Sequence, residues 1–211
     1  MGVNGTELRA IFAVIADDVE ASKDELCRLD GLIGDADHGI AMALGFGAAR
    51  DAVSGLDAGA EPTVVLNTAA KAFLNAVGAS CGPLYATALM RAGAAVKGKA
   101  VLDDPDIVAI VQAMATGIRD RGKAELGQKT MLDAWAPAAD AAASAKVAGE
   151  DLAACLDAAV AAARDGVEAT RGMVATKGRA ERLGERAVGH VDPGAASAVV
   201  VIGAMRRGLL G

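Results

Sequence analysis

The apolar residues of this chain recur mainly at helical spacing. The first set consists of Leu8, Ile11, Phe12, Ile15 and Val19. Positions three and four residues apart share one face of an α-helix, so this set predicts an amphipathic helix over about residues 6–28. The segment Asp30–Gly39 (DGLIGDADHG) follows with three glycines and three aspartates, and its glycines predict that it ends the helix.

Glycine, proline and capping signals divide the rest of the chain into seven further helical segments. These are predicted to begin near Ile40, Thr63, Pro83, Asp104, Met131, residue 150 and Ala195. Pro137 marks a candidate kink in the sixth helix, and Thr176–Gly194 is predicted to be a long ordered loop. No segment alternates with the period of a strand, so we predict an all-α chain of eight helices in one domain over residues 1–211.

The composition supports an all-α class built from small side chains. Hydrophobic residues make up 53% of the chain but aromatic residues only 2%, so Ala, Val, Leu, Ile and Met must form most of the core. The net charge of −6 argues against a nucleic-acid-binding protein, which normally has a basic face. A phosphate ligand would therefore need metal ions, a few Arg or Lys residues, or helix N-termini.

The cysteines and the apolar segments indicate the cellular compartment in which the protein is expected. Cys27, Cys81 and Cys155 are widely spaced and contain no CxxC pair, so neither a disulfide framework nor structural zinc is expected. The apolar run Ala198–Met205 is too short to span a bilayer, and no secretory leader is recognisable. We expect a cytoplasmic protein without a membrane partner.

The aspartates of Asp30–Gly39 are the first candidate for chemistry. Asp30, Asp35 and Asp37 offer hard oxygen ligands, which suit Mg²⁺ or Ca²⁺. An EF-hand is excluded because position 12 of such a loop, counted from Asp35, is Phe46 rather than Glu. The alternative interpretation is that the aspartates only cap helices and form Asx-turns, and their spacing alone leaves both interpretations open.

Two other segments could bind phosphate. Gly78–Pro83 (GASCGP) precedes a predicted helix, whose N-terminus would offer free N–H groups, although ordinary turns look similar. The late loop carries four cations, Lys177, Arg179, Arg182 and Arg186, which either meet phosphates or form a solvated surface. Neither His38 nor His190 has a serine or cysteine partner recognisable from the sequence, so a hydrolase triad has no support.

Taken together, these segments resemble the nucleotide-binding L subunits of bacterial dihydroxyacetone kinases, the DhaL family. The matching blocks occur in family order and cover nearly the whole chain. They are Leu29-Asp30, Ile33–Gly39, Gly82–Tyr85, Arg121–Glu125, Lys129–Asp133, Lys177–Ala180, Leu183–Arg186, Gly189-His190 and Asp192–Gly194. Cys81 departs from the serine that family members commonly have, and the weak thiol donor leaves that contact open.

The resemblance implies an eight-helix antiparallel barrel or bundle with a nucleotide site at one open end. It implies that Asp30, Asp35 and Asp37 hold two Mg²⁺ ions that bridge the phosphates of ADP or ATP. The residues implied to contact the nucleotide are His38, Gly39, Ile40, Ala41, Ser80, Cys81, Gly122, Met131, Arg179, Asp192, Pro193 and Gly194. No side chain is implied to act as a nucleophile, because phosphoryl transfer relies on positioning and charge neutralisation.

The resemblance also implies partners. A separate K subunit would hold the acceptor covalently, dihydroxyacetone by family default and erythrulose as the alternative. In the phosphotransferase-system type, ADP is a retained coenzyme that the subunit DhaM rephosphorylates. The free-standing chain and the histidine after Gly-Asp-Ala-Asp favour this type over relatives with exchangeable ATP. A nucleotide-sensing regulatory module is the third interpretation, and Ala-rich faces are compatible with a homodimer.

Overall fold

The structure, a computed structural model, describes residues 2–78 and 81–211. Within these ranges eight α-helices form, which confirms the predicted all-α class and helix number. They are α1 (Gly5–Ile33), α2 (His38–Ser54), α3 (Pro62–Ala76), α4 (Cys81–Ala95), α5 (Asp104–Gly122), α6 (Leu132–Val147), α7 (Leu152–Ala169) and α8 (Pro193–Leu210). α6 runs through Pro137, where a kink was a candidate.

The end of α1 differs from the prediction. The helix continues past residue 28 to Ile33, so Asp30 lies in its last turn rather than in a loop. Leu26, Asp30 and Ile33 are buried along one face, and this burial outweighs the roughly 1 kcal/mol that a glycine costs inside a helix. The three aspartates are therefore held by a helix end, a short link and a helix start.

Several helices begin earlier than their apolar pattern indicates. α2 begins at His38 instead of Ile40, α4 at Cys81 instead of Pro83, and α8 at Pro193 instead of Ala195. Pro62 occupies the first turn of α3, so Glu61 rather than Thr63 precedes that helix. Apolar periodicity misses these first turns because Gly, Pro and Cys, rather than large apolar side chains, occupy most of their buried positions.

Two short strands were also missed. β1 (Val3–Asn4) pairs antiparallel with β2 (Val101–Leu102), with Val3 opposite Leu102. Two residues per strand are too few to show a period-2 pattern. The pair joins the start of the chain to the segment between α4 and α5.

The seventh helix ends at Ala169 instead of continuing to about residue 174, and two 3₁₀ turns lie between it and α8. One covers Thr170–Gly172 and the other Arg179–Ala187, interrupted at Gly184, whose φ of 55° is left-handed. We name residues 171–190 the arginine loop. Four of its apolar side chains, Ala175, Ala180, Leu183 and Ala187, pack on Ile33 at the end of α1.

The eight helices close into a ring. Each helix packs on the next in sequence, and α8 packs back on α1. Short connections between successive helices from α1 to α7 produce an antiparallel order, and only the connection from α7 to α8 is long. The interior holds the few aromatic side chains: Phe46 lies 5.0 Å from Phe73 and 5.4 Å from Tyr85 between ring centroids, and Tyr85 lies 6.4 Å from Trp135. Among the described residues, no helix combines the length and apolar character needed to cross a membrane.

Candidate functional site

A cavity of about 460 Å³ opens where several helix ends meet. It lies beside the end of α1, the starts of α2, α4, α6 and α8, the end of α5 and the arginine loop. Antiparallel neighbours place these ends on one side of the ring. The lining residues are Asp30, Ile33, Asp35, Asp37, His38, Cys81, Pro83, Leu84, Ile118, Arg121, Gly122, Ala124, Lys129, Thr130, Met131, Lys177, Gly178, Arg179, Ala180, Asp192, Pro193 and Gly194.

The carboxylate of Asp30 organises the link between α1 and α2. Its Oδ2 accepts the backbone N–H groups of Asp37 at 3.0 Å and His38 at 3.3 Å. Gly34 is required beside it, because a Cβ atom at that position would lie 2.2 Å from Asp30 Oδ1. Ala36 adopts a left-handed φ of 63°, which turns the chain back towards Asp30. One oxygen of Asp30 thus holds the link through bonds that span seven and eight residues, which is not an Asx-turn.

The other carboxylates converge on the same point. Asp30, Asp35 and Asp37 each offer one oxygen, and these oxygens lie within 4.8 Å of one another. Asp37 precedes the first residue of α2 but its side chain makes no capping hydrogen bond to that helix. Its carboxylate therefore remains available, and a set of oxygen donors this close fits a hard divalent cation such as Mg²⁺.

Arg179 meets these carboxylates from the arginine loop. Its guanidinium forms an ion pair with Asp35 and lies 3.5 Å from an oxygen of Asp37. Clustered carboxylates repel one another, and a positive charge between them relieves that repulsion. The same guanidinium could instead bind a phosphate group. A phosphate, like a carboxylate, offers negatively charged oxygen atoms that accept hydrogen bonds from arginine.

His38 has a buried serine partner that the sequence does not reveal. Its Nε2 lies 2.9 Å from Ser197 Oγ, and Ser197 Oγ donates its own hydrogen to the Gly194 carbonyl at 2.9 Å. His38 must therefore be the donor, which assigns its proton to Nε2. Burial lowers the pKa of His38, favouring this neutral form. Because Ser197 is fully buried and already donating, the pair ties α2 to α8 and does not form a nucleophile.

Replacing Ser197 by Ala should leave the His38 N–H without a partner. We expect Ser197→Ala to lower the free energy of unfolding by about 1–3 kcal/mol, the cost of a buried unsatisfied donor. Denaturant titration measures this loss. Ser144→Ala, an exposed position on α6, is the matched control and should change it by less than about 0.5 kcal/mol. Equal stability of the two variants would contradict the assigned bond.

Free backbone donors lie at the start of α2. The first intrahelical bond runs from Ala41 N to Asp37 O, and His38 N is bonded to Asp30. Helix geometry leaves the N–H groups of Gly39 and Ile40 without intrahelical acceptors. Together with the positive end of the helix dipole, they form a place where an anion is favoured.

Asp192 is the buried N-cap of α8. Its Oδ2 accepts the N–H of Ala195 at 2.7 Å, and Pro193 occupies the first helical position. Burial raises the pKa of Asp192 to about 7, partly opposed by the Ala195 hydrogen bond and the charge of Lys129. The folded protein therefore keeps this carboxyl protonated at pH values where the unfolded chain has released the proton.

This raised pKa predicts a pH-dependent stability. Between about pH 4 and pH 7 the folded state binds more protons at Asp192, so its contribution to the free energy of unfolding falls as pH rises. Asp192→Asn keeps a capping oxygen and should remove that fall. Denaturant titrations in EDTA at several pH values test this. They give the free energy of unfolding of the variant and of the parent, and the difference between the two should change with pH. Asp151→Asn, at the exposed N-cap of α7, is the control, and a pH-independent difference for Asp192→Asn would contradict the prediction.

The predicted nucleotide contacts divide into four groups. Eight line the main cavity: His38, Cys81, Gly122, Met131, Arg179, Asp192, Pro193 and Gly194. Ile40 and Ala41 line an adjoining cleft that also contains Cys81. Gly39 packs against α1, and Ser80 lies outside the described residues. Burial raises the pKa of Cys81 to about 11, which keeps its thiol protonated and unreactive.

The basic cluster differs from the expectation. Lys177 and Arg179 line the cavity, whereas Arg182 and Arg186 are exposed and outside its lining. Arg121 and Lys129 supply the other cations of the lining, and the charge pattern did not single them out. Both stand in the blocks Arg121–Glu125 and Lys129–Asp133, so the family pattern was the only sequence signal for them.

These features define an all-α helical-ring protein with a cavity at one end whose lining includes both carboxylates and cations. The chain belongs to the DAK2 domain family, which matches residues 32–207. It is 39% identical over 187 residues to the ADP-binding subunit DhaL of a PEP-dependent dihydroxyacetone kinase from Listeria innocua, covering 89% of this chain and 88% of that protein. The corresponding subunit from Escherichia coli is 33% identical over 204 residues, covering 96% of both chains.

A solved structure shares the fold. The dihydroxyacetone kinase from C. freundii, in complex with AMP-PNP and Mg²⁺, superposes with a TM-score of 0.71 at 22% identity. The match covers 94% of this chain and 33% of that longer chain, so this protein corresponds to about a third of it.

Proposed function

We propose that this chain is the nucleotide-binding L subunit of a dihydroxyacetone kinase. The observation that carries the proposal is the convergence of three aspartate oxygens within 4.8 Å at the mouth of the cavity, next to the free N–H groups of α2. The DhaL relatives, matched over most of their length, support the same activity. The whole of residues 1–211 would form one domain, since α8 closes the ring on α1.

In this proposal Asp30, Asp35 and Asp37 hold two Mg²⁺ ions, with Asp30 using the oxygen that does not bind the link backbone. The ions would neutralise charge on the nucleotide phosphates. The backbone of His38–Ala41 would lie against those phosphates, mainly through the free N–H groups of Gly39 and Ile40. The rest of the pocket would comprise Ser80, Cys81, Gly122, Met131, Arg179 and Asp192–Gly194.

The transfer itself needs no nucleophile from this chain. Arg179, now paired with Asp35 and Asp37, would stabilise the negative charge that develops on the transferred phosphoryl group. The neutral His38 and its partner Ser197 would keep the first turn of α2 in place. The acceptor, dihydroxyacetone or another small ketose, would be held on a separate K subunit.

The nucleotide would be ADP, retained as a coenzyme and rephosphorylated by a phosphotransferase-system subunit of the DhaM type. The names of the Listeria innocua and Escherichia coli relatives, PEP-dependent kinases with an ADP-binding subunit, favour this donor over exchangeable ATP. Denaturing the purified protein and weighing the released nucleotide tests this. We expect to find retained ADP that does not exchange with added ATP. Rapid exchange with ATP turnover would instead show that this chain belongs to an ATP-dependent kinase.

Reconstitution tests the activity. Purified chain, a K subunit and a phosphoryl-donor subunit should phosphorylate dihydroxyacetone only when Mg²⁺ is present. Nucleotide binding without any transfer would instead favour a nucleotide-sensing regulatory module.

A further inference from the structure

Lys129 is a buried lysine in an unusual backbone conformation. Its side chain is 1% exposed, and its φ of 59° is left-handed, which a residue with a Cβ atom rarely adopts. The carboxylate of Asp133 holds this turn: Oδ1 accepts the N–H of Gly127 at 2.6 Å, and Oδ2 accepts the N–H of Thr130 at 2.7 Å. The start of α6 thus fixes where the lysine points.

The ammonium group joins the two ends of the arginine loop. Lys129 Nζ donates to the carbonyl oxygens of Thr170 and His190, each at 2.5 Å. Thr170 immediately precedes the arginine loop, and His190 is its last residue. A backbone bond from Gly189 N to Arg171 O at 2.8 Å closes the same base. One side chain therefore spans the point where the chain leaves and re-enters the ring.

The charge at this base is offset by Asp192 when that carboxyl group is ionised. Burial lowers the pKa of Lys129, while the negative charge of Asp192 opposes that effect. The ammonium donates to two carbonyl oxygens, and the charges of Arg171 and Asp133 also act on it. A neutral side chain in its place would leave both carbonyl acceptors unpaired in a buried position.

Beyond its base, few contacts hold the arginine loop, and one of them is a backbone hydrogen bond from Thr176 N–H to the Gln128 carbonyl at 3.4 Å. The loop's apolar contact with the ring is the small cluster of three alanines and Leu183 on Ile33. Small side chains bury little area, so they give weak control over the position of the loop. Arg179 nevertheless reaches Asp35 and Asp37 from this loop.

We propose that Lys129 is a positioning residue of the nucleotide site, joining both ends of the arginine loop so that Arg179 is held at the aspartates. The role at a nucleotide rests on the proposed function; the control of the loop does not.

Trypsin digestion of the full-length protein without nucleotide tests the control of the loop. Lys177, Arg179, Arg182 and Arg186 provide cleavage sites within it. Lys129→Met, which retains the length of the side chain, should raise the initial rate of cleavage at these sites about tenfold or more. Lys71→Met on the exposed face of α3 is the control and should leave that rate unchanged. A parent-like rate for Lys129→Met overturns the proposal.

The fold of the variant is checked by circular dichroism. If Lys129→Met does not fold, Lys129→Gln takes its place, because its amide keeps two N–H donors. Lys129→Gln should be cleaved in the loop faster than the parent, but more slowly than a protein in which both bonds to the Thr170 and His190 carbonyls are lost. A Lys129→Gln protein with the parent's cleavage rate would overturn the proposal in that case.

A double-mutant cycle tests whether Lys129 acts through Arg179. Mg²⁺-dependent ADP affinity is measured calorimetrically for the parent, Lys129→Met, Arg179→Met and the double variant. We expect Lys129→Met to weaken binding about tenfold in the parent background and to add nothing once Arg179 is gone. If the fold-loss in ADP affinity of the double variant equals the product of the two single losses, the coupling is overturned, because a purely structural effect of Lys129 would persist without Arg179. Absence of ADP binding in the parent would refute the proposed function while the digestion result still stands.

Discussion

Asp35→Asn should abolish most Mg²⁺-dependent nucleotide binding while leaving the fold intact. The change preserves the shape of the side chain but removes one of the three converging carboxylates. Substitutions of groups that merely support metal ligands cost about 10–100-fold in metal affinity, so loss of a ligand should weaken ADP binding by about 100-fold or more. Calorimetric titration with ADP at saturating Mg²⁺ measures the effect.

Stability distinguishes loss of a ligand from loss of structure. The Asp35 side chain is 49% exposed, and its ion pair with Arg179 is a surface pair that contributes about 0–1 kcal/mol. The thermal midpoint of Asp35→Asn should therefore stay close to the parent value. Asp57→Asn, in the exposed connection between α2 and α3, is the control for removing one negative charge. If Asp35→Asn binds ADP as the parent does, the aspartates are not the metal site.

Gly39→Ala should strongly destabilise the protein. A Cβ atom at Gly39 would lie 2.0 Å from the carbonyl oxygen of Lys23 and 2.9 Å from Cys27 Sγ. The carbonyl belongs to the backbone of α1 and cannot move aside, so α2 would have to shift. We expect the free energy of unfolding to fall by about 3 kcal/mol, at the upper end of overpacking effects. Denaturant titration measures it.

The same helix offers an opposite control. A Cβ atom at Gly47 of α2 would meet no atom within 4 Å. Gly47→Ala should therefore raise the free energy of unfolding by about 0.5–1 kcal/mol, because alanine loses less backbone entropy in a helix. Parent-like stability of Gly39→Ala would mean that α1 and α2 do not approach as closely as described. Folded Gly39→Ala protein should also bind ADP more weakly, since Gly39 N–H lies at the proposed phosphate site.

Helix number and class could be predicted, but helix ends could not. Apolar spacing located eight helices because the buried face of each one recurs every three to four residues. It missed the last turn of α1 and the first turns of α2, α4 and α8, where residues line the cavity. At those turns backbone hydrogen bonds and Pro193 decide the conformation, so hydrophobic periodicity carries no information.

The candidate site shows the same division. The sequence singled out Asp30, Asp35 and Asp37 but, on their spacing alone, left open whether they bind a metal or cap helices. The structure brings their oxygens together and leaves Asp37 without a capping bond, while one oxygen of Asp30 accepts backbone N–H groups of the link. Whether Mg²⁺ binds there stays a prediction, for which the Asp35→Asn titration is the direct measurement.

Long-range partners were invisible to the sequence. His38 meets Ser197 across 159 positions, and Lys129 meets the carbonyls of Thr170 and His190 across 41 and 61. Neither serine nor lysine stands in a local motif that specifies such a contact, and a backbone carbonyl leaves no trace in the residue types.

The sequence by itself determined the all-α class, the count of helices and the segments that carry carboxylates, glycines and cations. It could do so because helical periodicity and turn chemistry act over a few neighbouring residues. Only the tertiary structure decided that α1 carries Asp30 into the site, that Arg179 rather than Arg182 or Arg186 reaches the aspartates, and that Lys129 joins the ends of the arginine loop. These outcomes depend on closing the ring, which brings distant segments to one end and selects which side chains face the cavity.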